Sequence, residues 1–313
     1  MKRMSGIPWD QNNGRSKYQD IGISRDQESV WGMQGVTECI LRNCSELPDP
    51  AEVREILGGL SEARVEKILR YKRAEDRKRS AMAGMMIRDE LPRFGISQEQ
   101  IRTSEKDRPF VDGETDFNLS HSGDYVLMAV SDGRVGCDIE QVKAVRERVL
   151  DHCCSEAEKI WCRNFPEAKR ASAFCRIWTA KESYIKMTGE GLSLGFSKYE
   201  IVPDESAGIL REPILADDAE DSKQQKPAQE MNGSGEPVHG AGIPEEMIRM
   251  EGADQPEYLG CMKVLREGKK EPCVILQMKT QDGYVISVCV ETRDAKKQTI
   301  SDRVCREDSQ AFE

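Results

Sequence analysis

The chain has 313 residues with 38% hydrophobic content, and its 56 acidic and 46 basic residues give a formal net charge of −10. This length permits one large domain or two smaller ones, and the polar composition indicates that part of the chain contributes no core. Positions 204–257 alone carry 14 acidic and 4 basic residues, so the remaining chain is neutral, with 42 residues of each sign.

The sequence gives no sign of a membrane or secretory protein. No apolar run approaches the roughly 18 residues that a membrane-spanning helix needs. No apolar stretch follows Met1-Lys2-Arg3, so the start of the chain does not resemble a secretory signal. We therefore expect a cytoplasmic protein without a membrane or nucleic-acid partner. Its eleven cysteines are then expected to stay reduced.

Composition and periodicity divide the chain into folded and unfolded segments. We predict a disordered extension at 1–34, an N-terminal subdomain at 35–135, a C-terminal subdomain at 136–203 plus 258–293, an acidic disordered insert at 204–257 and a loose tail at 294–313. The insert therefore interrupts the chain between strands of one sheet.

Helices and strands are predicted from periodicity, and their ends from capping and turn residues. In chain order, the predicted elements are a strand at 36–41, a helix that begins after Ser61, a helix at about 75–90, strands at 125–130 and 135–139, a helix that begins after the capping box at Ser155, a helix from about 167 to 187 that stops at Gly189, and strands at 196–202, 259–265, 273–278 and 284–290. Asp132-Gly133 predicts that the strands on either side of it form a hairpin. This mixture of elements predicts an α+β fold.

Acidic residues are spaced so that a strand and a helix would each present them on one face. Asp138 and Glu140 are two residues apart on a predicted strand, so they face the same side. Glu182 and Lys186 are four residues apart on a predicted helix, so they also share a face. Three carboxylates and one lysine, if brought together, would form an oxygen-ligand site suited to Mg²⁺ and a phosphate-bearing substrate.

Three motifs contain these residues in a fixed order. They are N-x-S-H-S at 118–122, G-x-D-I-E at 136–140 and W-x-x-K-E-S-x-x-K-x-x-G-x-G-L at 178–192. Together they resemble the signature of 4'-phosphopantetheinyl transferases of the surfactin-synthetase-activating type, and three motifs in the right order are far more specific than one. The resemblance covers roughly positions 36–203 and resumes near positions 258–291.

The resemblance implies both a fold and a reaction. The fold would consist of two similar α/β subdomains related by a pseudo-two-fold axis, with the active site in the cleft between them. The reaction would transfer the 4'-phosphopantetheine group of coenzyme A to a serine of an apo acyl, peptidyl or polyketide carrier protein, releasing 3',5'-ADP. It would require Mg²⁺, and the protein would be a monomer.

The resemblance also assigns roles to individual residues. Asp138, Glu140 and Glu182 would be the metal ligands, and Glu182 and Lys186 the catalytic residues. Whether Glu182, Lys186 or a water on the metal deprotonates the attacking serine stays open. The expected coenzyme A contacts are Arg64, Lys67, Ser80, Arg108, Pro109, Ser120, His121 and Lys181. Asp107 stands where the family has glycine, so the turn before Arg108 departs from the family pattern.

Three alternatives remain beside this interpretation. The first is a catalytically silent module that binds coenzyme A or a carrier protein. The second is another Mg²⁺-dependent phosphotransferase that acts on a nucleotide. The third is a hydrolase, because positions 191–195 satisfy G-x-S-x-G. A hydrolase elbow needs a strand before the serine and a helix after it, whereas here we predict the reverse.

Overall fold

The computed structural model describes residues 37–104, 108–191, 195–204, 248–251 and 256–292. The helices are α1 (Glu62–Arg70), α2 (Ala74–Glu90), α3 (Glu147–Cys153), α4 (Glu156–Arg163) and α5 (Glu167–Thr188). The strands are β1 (Thr37–Asn43), β2 (Arg102–Thr103), β3 (Pro109–Phe110), β4 (Thr115–Ser122), β5 (Tyr125–Asp132), β6 (Val135–Gln141), β7 (Tyr199–Pro203), β8 (Ile248–Glu251), β9 (Glu257–Arg266), β10 (Lys269–Lys270), β11 (Cys273–Lys279) and β12 (Tyr284–Glu291). The predicted α+β class is confirmed.

The first sheet has the strand order β4-β5-β1-β8. Strand β5 pairs antiparallel with both β4 and β1. Helix α2 covers one face of this sheet, and its buried Met86 joins Ile40, Phe117 and Met128 in one apolar cluster. Burial of this apolar face holds the helix against the sheet.

The second sheet has the strand order β10-β9-β11-β12-β6, and β7 also pairs with β9. Helix α5 lies against β6 and β12. Its buried Ile177, Tyr184 and Ile185 pack with Ile275 and Cys289 of the sheet. This helix and strand β6 carry the predicted metal and catalytic residues, so the core of the second sheet fixes their relative positions.

Local capping signals place the helix ends correctly. Ser61 caps α1 by accepting the backbone N–H of Arg64. Ser155 and Glu158 form the predicted capping box of α4. Gly189 ends α5 in the left-handed conformation, at φ 73°.

The predicted hairpin at Asp132-Gly133 is wrong. Strand β5 already has partners on both edges, β4 and β1, so it has no free edge for β6. Strand β6 instead pairs antiparallel with β12 in the second sheet. The chain therefore crosses from one sheet to the other at this turn.

The predicted insert at 204–257 is too wide at its C-terminal end. Strand β8 falls inside it and pairs in parallel with β1, so the first sheet includes a strand from beyond the predicted N-terminal subdomain. Asp204 is ordered as well, because its N–H donates to the carbonyl oxygen of Cys261 at 3.0 Å. The predicted extension at 1–34, positions 205–247 and 252–255 of the insert, and the tail at 294–313 lie outside the described residues.

Two further features concern the cysteines and the helices. Ten cysteines lie in the described part of the chain, and all of them are buried and free of disulfide bonds. None of the described helices combines the length and the apolar character that crossing a membrane would require.

Candidate active site

A cavity of about 430 Å³ lies where the first sheet meets β6 and α5. Its lining residues are Leu119, Ser120, His121, Asp138, Glu140, Trp178, Glu182 and Lys186. We call it the carboxylate cavity. It gathers every predicted metal ligand, both predicted catalytic residues and two of the predicted coenzyme A contacts.

Helical and strand periodicity place these side chains in the cavity. Asp138 and Glu140 are two residues apart on β6, so their side chains lie on the same face of the strand. Trp178, Glu182 and Lys186 follow one another at four-residue steps on α5 and share one face of the helix. The spacing seen in the sequence is therefore realised in three dimensions.

Gly136 sets the distance between β6 and α5. A β-carbon at this position would lie 2.1 Å from the carbonyl oxygen of Ser183 and 2.3 Å from the backbone nitrogen of Met187. Only a residue without a side chain permits this approach. The glycine of the G-x-D-I-E motif is thus a packing requirement for the site.

Lys186 connects α5 to both sheets. Its Nζ donates to Oδ1 of Asp138 at 2.6 Å, to Oγ of Ser120 at 2.9 Å and to the carbonyl oxygen of Cys137 at 3.2 Å. Burial acts to lower the pKa of this ammonium, but the charge of Asp138 and the other partners outweigh burial, so the pKa is raised. Lys186 is therefore a fixed positive charge and a hydrogen-bond donor.

The two oxygens of Asp138 have different surroundings. The residue is only 4% exposed. Its Oδ1 accepts from Ser120 at 2.6 Å and from Lys186. Its Oδ2 is buried and has no hydrogen-bond partner within the described ranges. Buried polar atoms normally have a partner, so this oxygen is suited to bind a cation.

Glu140 and Glu182 are carboxylates in an unfavourable electrostatic environment. Burial raises the pKa of Glu140, and it also raises the pKa of Glu182, where the nearby charge of Asp138 adds to the effect. Oε2 of Glu140 accepts a hydrogen bond from Oγ of Ser122 at 2.7 Å. A bound cation would relieve the repulsion between these carboxylates.

The carboxylates fit Mg²⁺ by their chemistry, although they are not assembled as a finished coordination shell. Among the described residues, no group of three or more His, Cys, Asp or Glu side chains lies close enough together to hold a metal ion. The ammonium of Lys186 takes up one oxygen of Asp138. Mg²⁺ typically binds a small number of carboxylates and completes its coordination with waters and phosphates. The unpartnered oxygen of Asp138 and the two neighbouring glutamates match this ligand set.

A second cavity, of about 320 Å³, lies between α1, α2 and the segment that leads into β3. Arg64, Lys67 and Pro109 are among its lining residues. Nη2 of Arg64 donates to the carbonyl oxygen of the buried Ser80 at 3.0 Å. Nε of Arg64 is buried without a partner in the described structure, and burial lowers the pKa of this guanidinium. Three predicted coenzyme A contacts therefore line this cavity, and a fourth, Ser80, is bonded to Arg64 through its backbone carbonyl.

Arg108 lines neither cavity. Its Nη2 donates to Oδ2 of Asp116 at 2.7 Å and to the carbonyl oxygen of Val135 at 3.2 Å. This guanidinium therefore ties the segment before β3 to β4 and to the start of β6. Its contact with a nucleotide stays a prediction. Asp107, which replaces the family glycine, lies outside the described residues.

The predicted phosphate contact of Lys181 needs correction. Its side chain is completely buried, and its Nζ forms an ion pair with Oε2 of the equally buried Glu158 at 3.0 Å. The same Nζ donates to the carbonyl oxygens of Phe196 at 2.7 Å and Tyr199 at 3.1 Å. An ammonium held inside the core in this way cannot reach a ligand in the cavity, so Lys181 stabilises the second sheet and its helices.

The region of the G-x-S-x-G motif has the wrong order of elements for a hydrolase. Helix α5 ends at Thr188 before it, and strand β7 begins at Tyr199 after it. A nucleophile elbow needs the opposite order. Positions 192–194 of this motif lie outside the described residues.

Comparisons with known proteins agree with the motifs. Residues 134–232 match the family model described as the 4'-phosphopantetheinyl transferase superfamily, and residues 47–133 match that of the 4'-phosphopantetheinyl transferase N-terminal region. The 4'-phosphopantetheinyl transferase gsp of Aneurinibacillus migulanus is 31% identical over 163 residues, which are 50% of this chain and 69% of that protein. The 4'-phosphopantetheinyl transferase Sfp of Bacillus subtilis (strain 168) is 28% identical over 155 residues, 48% of this chain and 69% of that protein. The chain belongs to the 4'-phosphopantetheinyl transferase superfamily.

Proposed function

We propose that this protein transfers the 4'-phosphopantetheine group of coenzyme A to a serine of an apo acyl, peptidyl or polyketide carrier protein, releasing 3',5'-ADP. The observation that carries the proposal is the carboxylate cavity. There, Asp138 with its unpartnered oxygen lies beside Lys186, and Glu140 and Glu182 line the same space. Membership of the superfamily supports the same reaction.

We further propose that the active site lies in the cleft between two similar subdomains. This placement is supported by the cavity lining, which combines β4 of the first sheet with β6 and α5 of the second sheet and its helix. Substrate bound there would contact both halves of the fold. The protein would act as a monomer, because each chain supplies all of these residues.

Asp138, Glu140 and Glu182 are the residues that would hold Mg²⁺. When bound, the ion would neutralise negative charge on the pyrophosphate of coenzyme A and on the leaving nucleotide. Lys186, kept protonated by its raised pKa, would hold Asp138 in place and add positive charge beside the phosphates. Glu182 would be the candidate to accept the proton of the carrier serine, because its carboxylate lines the cavity beside Asp138 and Lys186.

His121 and the second cavity would bind the nucleotide half of coenzyme A. The protein around His121 reduces its solvation and lowers the pKa of the imidazole, and the charge of Arg79 acts in the same direction. His121 lines the carboxylate cavity and would donate a hydrogen bond to the 3'-phosphate. Arg64, Lys67 and Ser80 would supply the remaining contacts, with the guanidinium of Arg64 as the fixed charge.

A mass measurement tests the proposal. An apo carrier protein is incubated with coenzyme A, Mg²⁺ and the chain, and the intact mass of the carrier is measured. We expect an increase equal to one phosphopantetheine group. Coenzyme A binding without any mass change would favour the catalytically silent module, and modification of a nucleotide instead of the carrier would favour the other phosphotransferase.

A further inference from the structure

Polar side chains of one strand join the two sheets beside the carboxylate cavity. In the described structure, β6 is the last strand of the second sheet and pairs with β12. Four residues at alternate positions of β4 form hydrogen bonds with β6, namely Asp116, Asn118, Ser120 and Ser122. Alternate residues of a strand point to one side, so they form a single row, which we call the polar ladder.

The polar ladder fixes the backbone of β6. Three backbone N–H groups donate to it, from Val135 to Oδ2 of Asp116 at 3.2 Å, from Cys137 to Oδ1 of Asn118 at 3.0 Å and from Gln141 to Oγ of Ser122 at 3.2 Å. The edge strand of a sheet leaves a row of N–H groups without strand partners. The side chains of β4 take the place of a neighbouring strand, so the two sheets are held in one register.

The polar ladder also holds the two carboxylates of β6. Oγ of Ser120 donates to Oδ1 of Asp138 at 2.6 Å, and Oγ of Ser122 donates to Oε2 of Glu140 at 2.7 Å. Ser122 accepts the N–H of Gln141 at the same time. A hydroxyl has one hydrogen to donate, and that backbone bond leaves the hydrogen of Ser122 directed at Glu140.

We propose that the polar ladder positions the β6 carboxylates, and that Ser122 is the positioning residue that orients Glu140 for a divalent cation. This inference rests on the proposed function in one respect, that Asp138, Glu140 and Glu182 hold the cation. Hydrogen-bond partners that orient metal ligands typically change metal affinity or activity by 10- to 100-fold. Ser122 does not line the cavity, so its effect would pass through Glu140.

Cation binding can be measured without turnover. Mn²⁺ is titrated into the protein with saturating coenzyme A and no carrier, and free Mn²⁺ is followed by electron paramagnetic resonance. We expect Ser122→Ala to bind Mn²⁺ roughly 10-fold or more weakly, and Ser122→Thr, which keeps the hydroxyl, to restore most of the affinity. The matched control is Ser131→Ala, which removes a buried hydroxyl of the same sheet that bonds to Thr37 at 3.0 Å. The control should bind Mn²⁺ as the unaltered protein does.

Unchanged Mn²⁺ affinity in Ser122→Ala would overturn the inference, as would an equal loss in Ser131→Ala or no recovery in Ser122→Thr. Carrier modification by the unaltered protein separates this failure from failure of the proposed function. A protein that modifies the carrier while Ser122→Ala binds Mn²⁺ normally retains the proposed function and loses only the role of Ser122. Absence of Mn²⁺ binding in the unaltered protein would overturn the inference, and absence of carrier modification would overturn the proposed function.

Discussion

Gly136 and Ser183 touch through their backbones, and no side chain fits between them: a β-carbon at position 136 would lie 2.1 Å from the carbonyl oxygen of Ser183. This contact joins β6 to α5 two residues before Asp138 and one residue after Glu182. The separation of Asp138 from Glu182 therefore depends on a glycine that has no chemical role of its own.

Gly136→Ala should push β6 and α5 apart. Overfilling a packed core typically costs about 1–3 kcal/mol, and a displacement of about 1 Å in an active site can lower the rate roughly 100-fold. Urea unfolding and the rate of carrier modification measure the two effects. Gly58→Ala is the control, because Gly58 has φ −54° and a β-carbon there would come no closer than 3.3 Å to its nearest neighbour. A Gly136→Ala protein with normal stability and normal rate would show that the contact is not needed.

His121→Ala and Arg64→Ala should each raise KM for coenzyme A more than KM for its analogue without the 3'-phosphate. A lost hydrogen bond to a charged group costs about 1.5–3 kcal/mol, which corresponds to a change of roughly ten- to a hundred-fold. Steady-state kinetics with both substrates measure the difference. Equal effects on the two substrates would argue against a 3'-phosphate contact for the residue concerned.

Breaking the buried ion pair of Lys181 and Glu158 should destabilise the protein. Lys181→Met leaves the carboxylate of Glu158 buried without its cation, and removing one partner of a buried pair typically costs about 3–5 kcal/mol. Urea unfolding measures the loss. The double variant Lys181→Met with Glu158→Gln should recover part of it, because no buried charge remains. KM for coenzyme A should stay unchanged in the folded variants, and a large rise in KM would restore Lys181 as a phosphate contact.

Deletion of positions 206–246, bridged by a Gly-Ser linker long enough to reach β8, should preserve carrier modification. These residues belong to the acidic segment. Each twofold change in loop length alters the free-energy cost of closing the loop by only about 0.6 kcal/mol. A deletion that also removes β8 should lower the free energy of unfolding by roughly 1–3 kcal/mol, because β1 loses backbone hydrogen bonds of about 0.5–1.5 kcal/mol each. Equal stability of the two deletions would show that β8 contributes nothing.

Local signals were sufficient to predict four of the α-helices and the spacing of the site, whereas α3 was not predicted. Asp138 with Glu140 and Glu182 with Lys186 share faces because strand and helix periods are local properties. The caps at Ser61, Ser155 and Gly189 also depend only on nearby backbone.

Features that depend on distant residues were not predictable in the same way. Asp132-Gly133 is a hairpin signal, but the pairing of β6 is decided by β12, about 150 residues later. Lys181 was predicted to contact a phosphate because nothing local shows that its partner is Glu158, which lies on another helix. Strand β8 has only four residues within an acidic segment, which is too few to show a period. The role of Ser122 required the positions of both sheets.

The mass of an apo carrier protein reports directly on the chemistry of the carboxylate cavity. The carrier is incubated with coenzyme A, limiting Mg²⁺ and either the unaltered chain, Asp138→Asn or the control Asp151→Asn, whose side chain is 57% exposed. We expect the unaltered chain and the control to add one phosphopantetheine group at similar rates. Asp138→Asn should be at least about 100-fold slower, which corresponds to about 2.7 kcal/mol of lost transition-state stabilisation. A rate for Asp138→Asn within a few-fold of the unaltered chain would contradict the assignment of this cavity as the active site.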